Sequence, residues 1–197
     1  PGDEGVTARV HLLPANRDNS ALDRHFDVTV PAGGQVEVGD VLETRFDFSG
    51  NAALMVDSTA EDLLVTSRTY NQVPDGTYGQ FIPGVAESDA LAIGVEGHIA
   101  MLAKSPDRRS NLGFANFSGN AGTALVRLYD SGGAEIGFKS SDVPPYGQLQ
   151  LNDVFAVAGE AARYVARATV VGDVPLVAYA SVIDQSTGDP VAVMAVL

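Results

Sequence analysis

The stretch "VPAGGQVEVGDVL", Val30 to Leu42, returns 113 residues later as "VPPYGQLQLNDVF", Val143 to Phe155. Both read Val-Pro-x-x-Gly-Gln, then alternating apolar residues, then Asp-Val and a large apolar residue. Val30/Val143, Pro31/Pro144, Gly34/Gly147, Gln35/Gln148, Asp40/Asp153 and Val41/Val154 are identical pairs. The same offset lays "SRTYNQVPDGTYGQFIPG" (Ser67–Gly84) on "ASVIDQSTGDPVAVMAVL" (Ala180–Leu197), with Asn71 on Asp184 and Gln72 on Gln185. Two matches in one register indicate an internal duplication with a unit near 113 residues. Upstream, "GVTARVHLLP" (Gly5–Pro14) matches "GTALVRLYDS" (Gly122–Ser131) after a four-residue gap, which the polar stretch "NRDNSALDRH" absorbs.

Within each unit, apolar residues alternate with polar ones at a period of two, the signature of half-buried strands. "TARVHLL", "HFDVTV", "QVEVGD" and "LMVDST" alternate in the first copy; "ALVRLYD", "EIGFKSS", "QLQLND" and "YVARATV" do so in the second. "DSGGAE" (Asp130–Glu135), "VPDGT" (Val73–Thr77) and "STGDP" (Ser186–Pro190) read as hairpin turns, where Gly accepts a positive φ. "LLVTSRTY" and "PLVAYASVID" are more continuously apolar, as central strands covered on both faces should be. Helical signal is confined to "NDVFAVAGEAAR" (Asn152–Arg163), capped by Asn152 or Asp153, its counterpart at Asp40–Arg45, and one turn in "AESDALAIG" (Ala86–Gly94). The expected fold is all-β: two tandem immunoglobulin-like antiparallel sandwiches, residues 1–85 and 97–197, with 86–96 as linker.

The second copy carries two further strands ahead of Gly122, "GHIAMLA" (Gly97–Ala103) and "NLGFANFS" (Asn111–Ser118), where the first offers only "PGDE" ahead of Gly5. A sandwich short of two strands leaves unpaired edges and open apolar surface. The expectation is that upstream residues complete the first repeat, or that a neighbouring subunit does so by strand addition or domain swapping. A chain that begins at Pro1 without Met is expected to be processed or part of something longer.

With these strings in hand, the chain resembles a family of tandem repeats in large secreted bacterial proteins. Those repeats read Ser-Arg-Thr-Phe/Tyr-Asn, then Thr-Phe/Tyr-Gly-Gln-Phe-Ile/Val-Pro, and close with Ala-Ser-Val-Ile/Val-Asp-Asn/Gln and a Thr/Ser-Gly-Asp-Pro turn. Here these are Ser67–Asn71, Thr77–Pro83, Ala180–Gln185 and Thr187–Pro190, while Arg109, Ser110 and Asn111 match the family's Arg-Thr/Ser-Asn stretch. The family's similar strand ahead of the first turn is lacking here. The resemblance implies an extracellular, immunoglobulin-like sandwich appended to other domains, and it brings no established chemistry with it.

Composition narrows the partners. A net charge of −13 opposes phosphate backbones and anionic membranes, so nucleic acid is a poor partner, and no apolar run reaches the ~20 residues that span a bilayer as a helix. With no Cys, thiol catalysis, disulfides and Cys-ligated zinc are excluded. His11, His25 and His98 include a facing pair, His11 and His25, but two His without a third ligand make a weak metal site. No Gly-x-Ser-x-Gly elbow, dinucleotide loop or Walker loop occurs. "DQSTGDP" (Asp184–Pro190), "YDSGGAE" (Tyr129–Glu135) and "NRDNSALD" (Asn16–Asp23) offer oxygens suited to calcium, without the spacing of a known calcium loop. Trp is absent, which leaves Tyr70, Tyr78, Tyr146 and Tyr164 as rings that could stack on a sugar. The sequence therefore points to a non-enzymatic, extracellular structural or adhesive module with no catalytic, cofactor or metal residues assigned. It assembles by strand complementation into a larger surface structure or filament. The alternative is a carbohydrate-binding accessory module of a secreted hydrolase.

Overall fold

The computed structural model describes residues 4–60, 63–74, 76–158 and 163–197. The chain is all-β. Strands β1 (Val6–Pro14), β2 (His25–Val30) and β3 (Ala52–Asp57) form an antiparallel sheet in the order β2-β1-β3, with helix α1 (Val41–Phe46) between β2 and β3. Strands β4 (Thr66–Val73) and β5 (Gly76–Pro83) form a separate hairpin. A single helical turn, Glu87–Asp89, leads to the second copy: β6 (Gly97–Lys104), β7 (Arg108–Asn116), β8 (Gly122–Asp130), β9 (Glu135–Val143), β10 (Gln148–Leu151), β11 (Arg163–Gly172), β12 (Leu176–Asp184) and β13 (Pro190–Met194).

The second copy is a sandwich. Sheet β10-β7-β12-β13 packs on sheet β6-β11-β8-β9, and the strand alternation turns one face of each inward. Leu112 and Phe114 of β7 and Leu176, Ala178 and Ala180 of β12 meet Ile99, Val126, Leu128 and Val170 from the facing sheet in one continuous core. Val154 and Phe155, in the helical turn Val154–Ala158, plug one side. Leu91, in the stretch read as linker, belongs to the same core and bridges Leu176.

Pairing registers make the internal repeat explicit. Val30 pairs with Val6 as Val143 pairs with Gly122, which lays "TARVHL" (Thr7–Leu12) on "TALVRL" (Thr123–Leu128). The sequence alignment of Gly5 on Gly122 is therefore one residue off, and the β1–β2 connection is longer than β8–β9 by three residues, not four. Ala8 and Leu12 face inward and are buried, as are Ala124 and Leu128. Each helical turn follows an Asp in the left-handed region, Asp40 with φ 47° and Asp153 with φ 48°. The expected N-cap role fails for Asp40: its left-handed backbone carries no side-chain cap bond to α1.

The first copy buries far less. Its sheet covers a small cluster in which Phe26 meets the buried Phe46 edge-on at 5.3 Å, with the Arg45 guanidinium over Phe26 and that of Arg24 over Phe48. The hairpin β4–β5 does not pack face to face on the sheet β2-β1-β3. It lies instead beside β13, where Gly79 N–H donates to Asp189 Oδ1 at 3.2 Å and Ser181 Oγ to Gln80 Oε1 at 3.1 Å. β4, expected to be a covered central strand, is exposed at every position, because among the described residues β5 is the one element that makes extensive contact with it.

Candidate functional site

Three backbone edges of the first repeat stand open where the second repeat closes its counterparts with β6 and β7. In the second repeat, β10 pairs with β7 through Gln148–Ala115 to Leu151–Leu112, and the other edge of β7 pairs with β12. The strand β6 covers the edge of β11. The first repeat has, among the described residues, no counterpart of either strand. Its "QVEV" (Gln35–Val38), despite the same alternation as "QLQL", forms no strand, since a strand is stable only with a ladder partner. Among the described residues, the edge of β3 away from β1 and the edge of β4 away from β5 are unpaired as well.

The turn before this segment is preserved. Gly34 N–H donates to Pro31 O and Gly147 N–H to Pro144 O, each at 2.9 Å. A Cβ on Gly34 would lie 2.6 Å from Pro31 Cγ, and one on Gly147 2.8 Å from Pro144 O, so both turns demand glycine. Beyond the turn the copies part. Gln148 is buried and its Nε2 donates to the Tyr179 hydroxyl at 3.2 Å. Burial pushes the Tyr179 hydroxyl above the ordinary phenol range, against a smaller downward pull from Gln148. Gln35, the identical residue, faces solvent. Apolar side chains are exposed in these segments and on the β4–β5 hairpin: Val36, Leu64 and Phe81 are 47%, 85% and 60% exposed.

The polar residues singled out in the sequence fall elsewhere. His11 and His25 face each other across β1 and β2, ring centroids 5.4 Å apart. His11 is buried; its Nε2 lies 3.0 Å from Asp57 Oδ2 and its Nδ1 3.3 Å from the Leu22 carbonyl. Two acceptors therefore flank that ring. His98 sits apart on β6, 3.9 Å from Glu96. Among the described residues, no three metal-ligating side chains converge. The oxygen-rich loops use their carboxylates to build turns. Asp184 Oδ1 accepts from Ser186 N–H, Ser186 Oγ and Thr187 N–H, and these bonds, the Ser186 side chain foremost, hold its carboxyl down at about 2. Asp130 Oδ1 accepts from Gly132 and Ala134 N–H. The Asn16–Asp23 loop ties the copies together: Asn19 Nδ2 donates to Tyr146 O at 2.9 Å and to Pro14 O, and Asn16 N–H donates to Gln148 O at 2.8 Å.

Tyr70 is 53% exposed with Arg68 stacked 5.2 Å over its ring, while Tyr78 and Tyr146 are half-buried on other elements. The side chain of Tyr164 lies outside the described residues. Arg109 reaches toward Asn111 at 3.5 Å. A shallow polar depression of about 470 Å³ lies at the β6–β7 turn, lined by Ser105, Asp107, Arg108, Asp184 and Ser186. Sequence reasoning missed the polar side chains that seat β7, chiefly Ser110 and Asn116; the signal was present as small polar residues bracketing the apolar run in "SNLGFAN".

No family model and no curated protein matches this chain. Among solved structures, the chain is similar to Thermotoga maritima 1070 with a TM-score of 0.44 and 10% identity, over 53% of this chain and 94% of that one. It is also similar to the Anabaena sensory rhodopsin transducer, with a TM-score of 0.38 and 14% identity, over 46% and 89%. Likenesses this remote carry no functional argument. No helix among the described residues is long and apolar enough to cross a membrane.

Proposed function

We propose that the chain is a non-enzymatic structural or adhesive β-sandwich module, working outside the cell, whose first repeat is completed by strands from another polypeptide segment. The observation that carries the reading is the triple mismatch between the copies: β3, β4 and Gln35–Val38 are all open, and β6–β7 closes all three counterparts in the second repeat. Strand addition of this kind draws its affinity from main-chain hydrogen bonds and its specificity from alternate side chains. Exposed Val36, Leu64 and Phe81 supply apolar area for an incoming strand to cover. Extracellular placement rests on the resemblance of Ser67–Asn71, Thr77–Pro83 and Ala180–Gln185 to repeats of secreted proteins.

The test is a fusion in which a second copy of residues 97–118 is joined ahead of Gly5 through a flexible linker. The fusion is expected to melt higher than the parent chain, to bind less of a dye that reports exposed apolar surface, and to slow amide exchange at residues 35–38. An unchanged melting temperature together with unchanged exchange at 35–38 sinks the reading.

A further inference from the structure

Resting on that strand-acceptor reading, we infer that the segment the first repeat receives is a basic pair of strands joined by a tight turn, one strand for each sheet, whose second strand reads Ser-Asn-apolar-x-apolar-x-Asn. The pattern comes from what each residue of "SNLGFAN" (Ser110–Asn116) does in the second repeat and from the counterpart of each partner in the first.

Strands β6 and β7 lie in different sheets and share no continuous ladder, so a side chain has to tie them. Ser110, fully buried, does this: its Oγ donates to Ala103 O at 2.9 Å and accepts from Ala103 N–H at 2.8 Å. Leu112 and Phe114 alternate inward, both fully buried. Asn111 Oδ1 accepts from the N–H of Asp153, the left-handed residue before the helical turn, at 3.0 Å. Asp40 holds the same left-handed conformation, and among the described residues no side chain accepts from its N–H. Asn116 Nδ2 donates to Pro144 O at 3.0 Å, and Asn116 N–H to Gly147 O at 2.9 Å. Pro31 and Gly34 build the same turn and hold the same two carbonyls, with no strand beside them.

Charge points the same way. The hairpin 97–116 carries Lys104, Arg108 and Arg109 against the single acid Asp107, inside a chain of net charge −13. Lys104 Nζ sits 2.9 Å from Asp153 Oδ2, and the corresponding Asp40 is exposed. A cation closing the first strand of the incoming hairpin meets that carboxylate.

The probe is a labelled synthetic peptide of residues 97–118, titrated into the full 197-residue chain and read by fluorescence anisotropy and by amide exchange at residues 35–38 and 66–72. The peptide is expected to bind and to protect both segments. Asn111→Leu or Asn116→Leu in the peptide weakens binding about tenfold or more, because the first removes the acceptor for the Asp40 N–H and the second removes a donor to the Pro31 carbonyl. Lys104→Gln in the peptide weakens it a few-fold in low salt, and that loss disappears against the Asp40→Ala chain. Because a short peptide can fail to order on its own, the same Asn substitutions are also made in the fused copy, where each should remove most of the gain in melting temperature. If the Asn variants bind and stabilise as well as the parent hairpin, the inferred partner is wrong while strand acceptance survives. Absence of binding together with a silent fusion overturns both. A chain that sediments as a dimer with residues 35–38 already protected overturns the inference in favour of a second copy as occupant.

Discussion

Gln35–Val38 and Gln148–Leu151 are near-copies in sequence and opposites in structure. Both follow a Pro-x-x-Gly turn with the same hydrogen bond, and both precede a left-handed Asp and a helical turn. One is a strand with a buried glutamine; the other is an exposed extended segment. What separates them is β7, present beside one and lacking beside the other. Local chemistry fixed the turns in both places, because a turn closes on itself. Alternation alone did not make a strand, because a strand is defined by its neighbour.

The sharpest way to probe this contrast is to cut the same position in both copies. Phe155→Ala removes a fully buried ring and should cost about 3–5 kcal/mol of stability. Leu42→Ala, at the equivalent place within α1 and only half-buried, should cost about 1 kcal/mol. Denaturant titration monitored by circular dichroism separates the two, and equal costs would show that the first repeat has a core of its own to match.

Asn116→Ala should destabilise by about 1–3 kcal/mol, since it removes the carboxamide that donates to both the Pro144 and Asn120 carbonyls and accepts from Ser118. Thermal unfolding measures the loss. Next in size, Gln148→Ala should cost about 1 kcal/mol by removing the bond to Tyr179, whereas Gln35→Ala should lie within about 0.5 kcal/mol of the parent. In the fusion that supplies a second hairpin the two glutamine variants should converge; if Gln35→Ala stays silent there, the copies do not share a completed state.

Much of this was readable before any coordinates. The strands around "TARVHL", "ALVRLYD" and "NLGFAN" announce themselves by alternation, and the turns at Asp130–Glu135 and Ser186–Pro190 by their Gly and Asp. The fate of "QVEV" and of β4 was not readable, because alternation records which face a residue would present and says nothing of whether a partner is there. Arg68 shows the same limit. In the sequence it sits in an apolar strand, where the guanidinium should reach solvent or a carboxylate or carbonyl; β4 is open, so it reaches solvent over Tyr70. Its change to Ala should therefore cost about 0.5–1 kcal/mol, the range of an exposed cation–π contact. At the candidate site, the pattern of missing strands was legible, whereas the Ser110, Asn111 and Asn116 contacts depend on backbone atoms far away in sequence.

The smallest expected effect is in the turn that both copies elaborate differently. Asp184 is held at about 2 by Ser186 and Thr187, below its ordinary range near 3.8, so its contribution is complete above about pH 4 and is lost as pH falls through about 2. The Asp184→Asn variant should thus lose the acid-dependent part of the melting curve in that window. A parent and variant with parallel melting temperatures from pH 5 to pH 2 would place the bonds of this exposed turn beneath detection.

The clamp formed by Asn16 and Asn19 also orders events in time. Its acceptors, the carbonyls of Pro145, Tyr146 and Gln148, lie on and just before β10, 126 to 132 residues along the chain from their donors. β10 exists only once β7 is beside it, so the clamp closes after β7 and β10 have paired. At about 5–20 residues per second of synthesis, the first repeat waits roughly 6–25 s between emerging and finding those carbonyls. Through that interval the first repeat lies without these bonds to the second, which makes synthesis the stage at which a complementary strand, or a chaperone in its place, gains the easiest access to the open sides of β3 and β4.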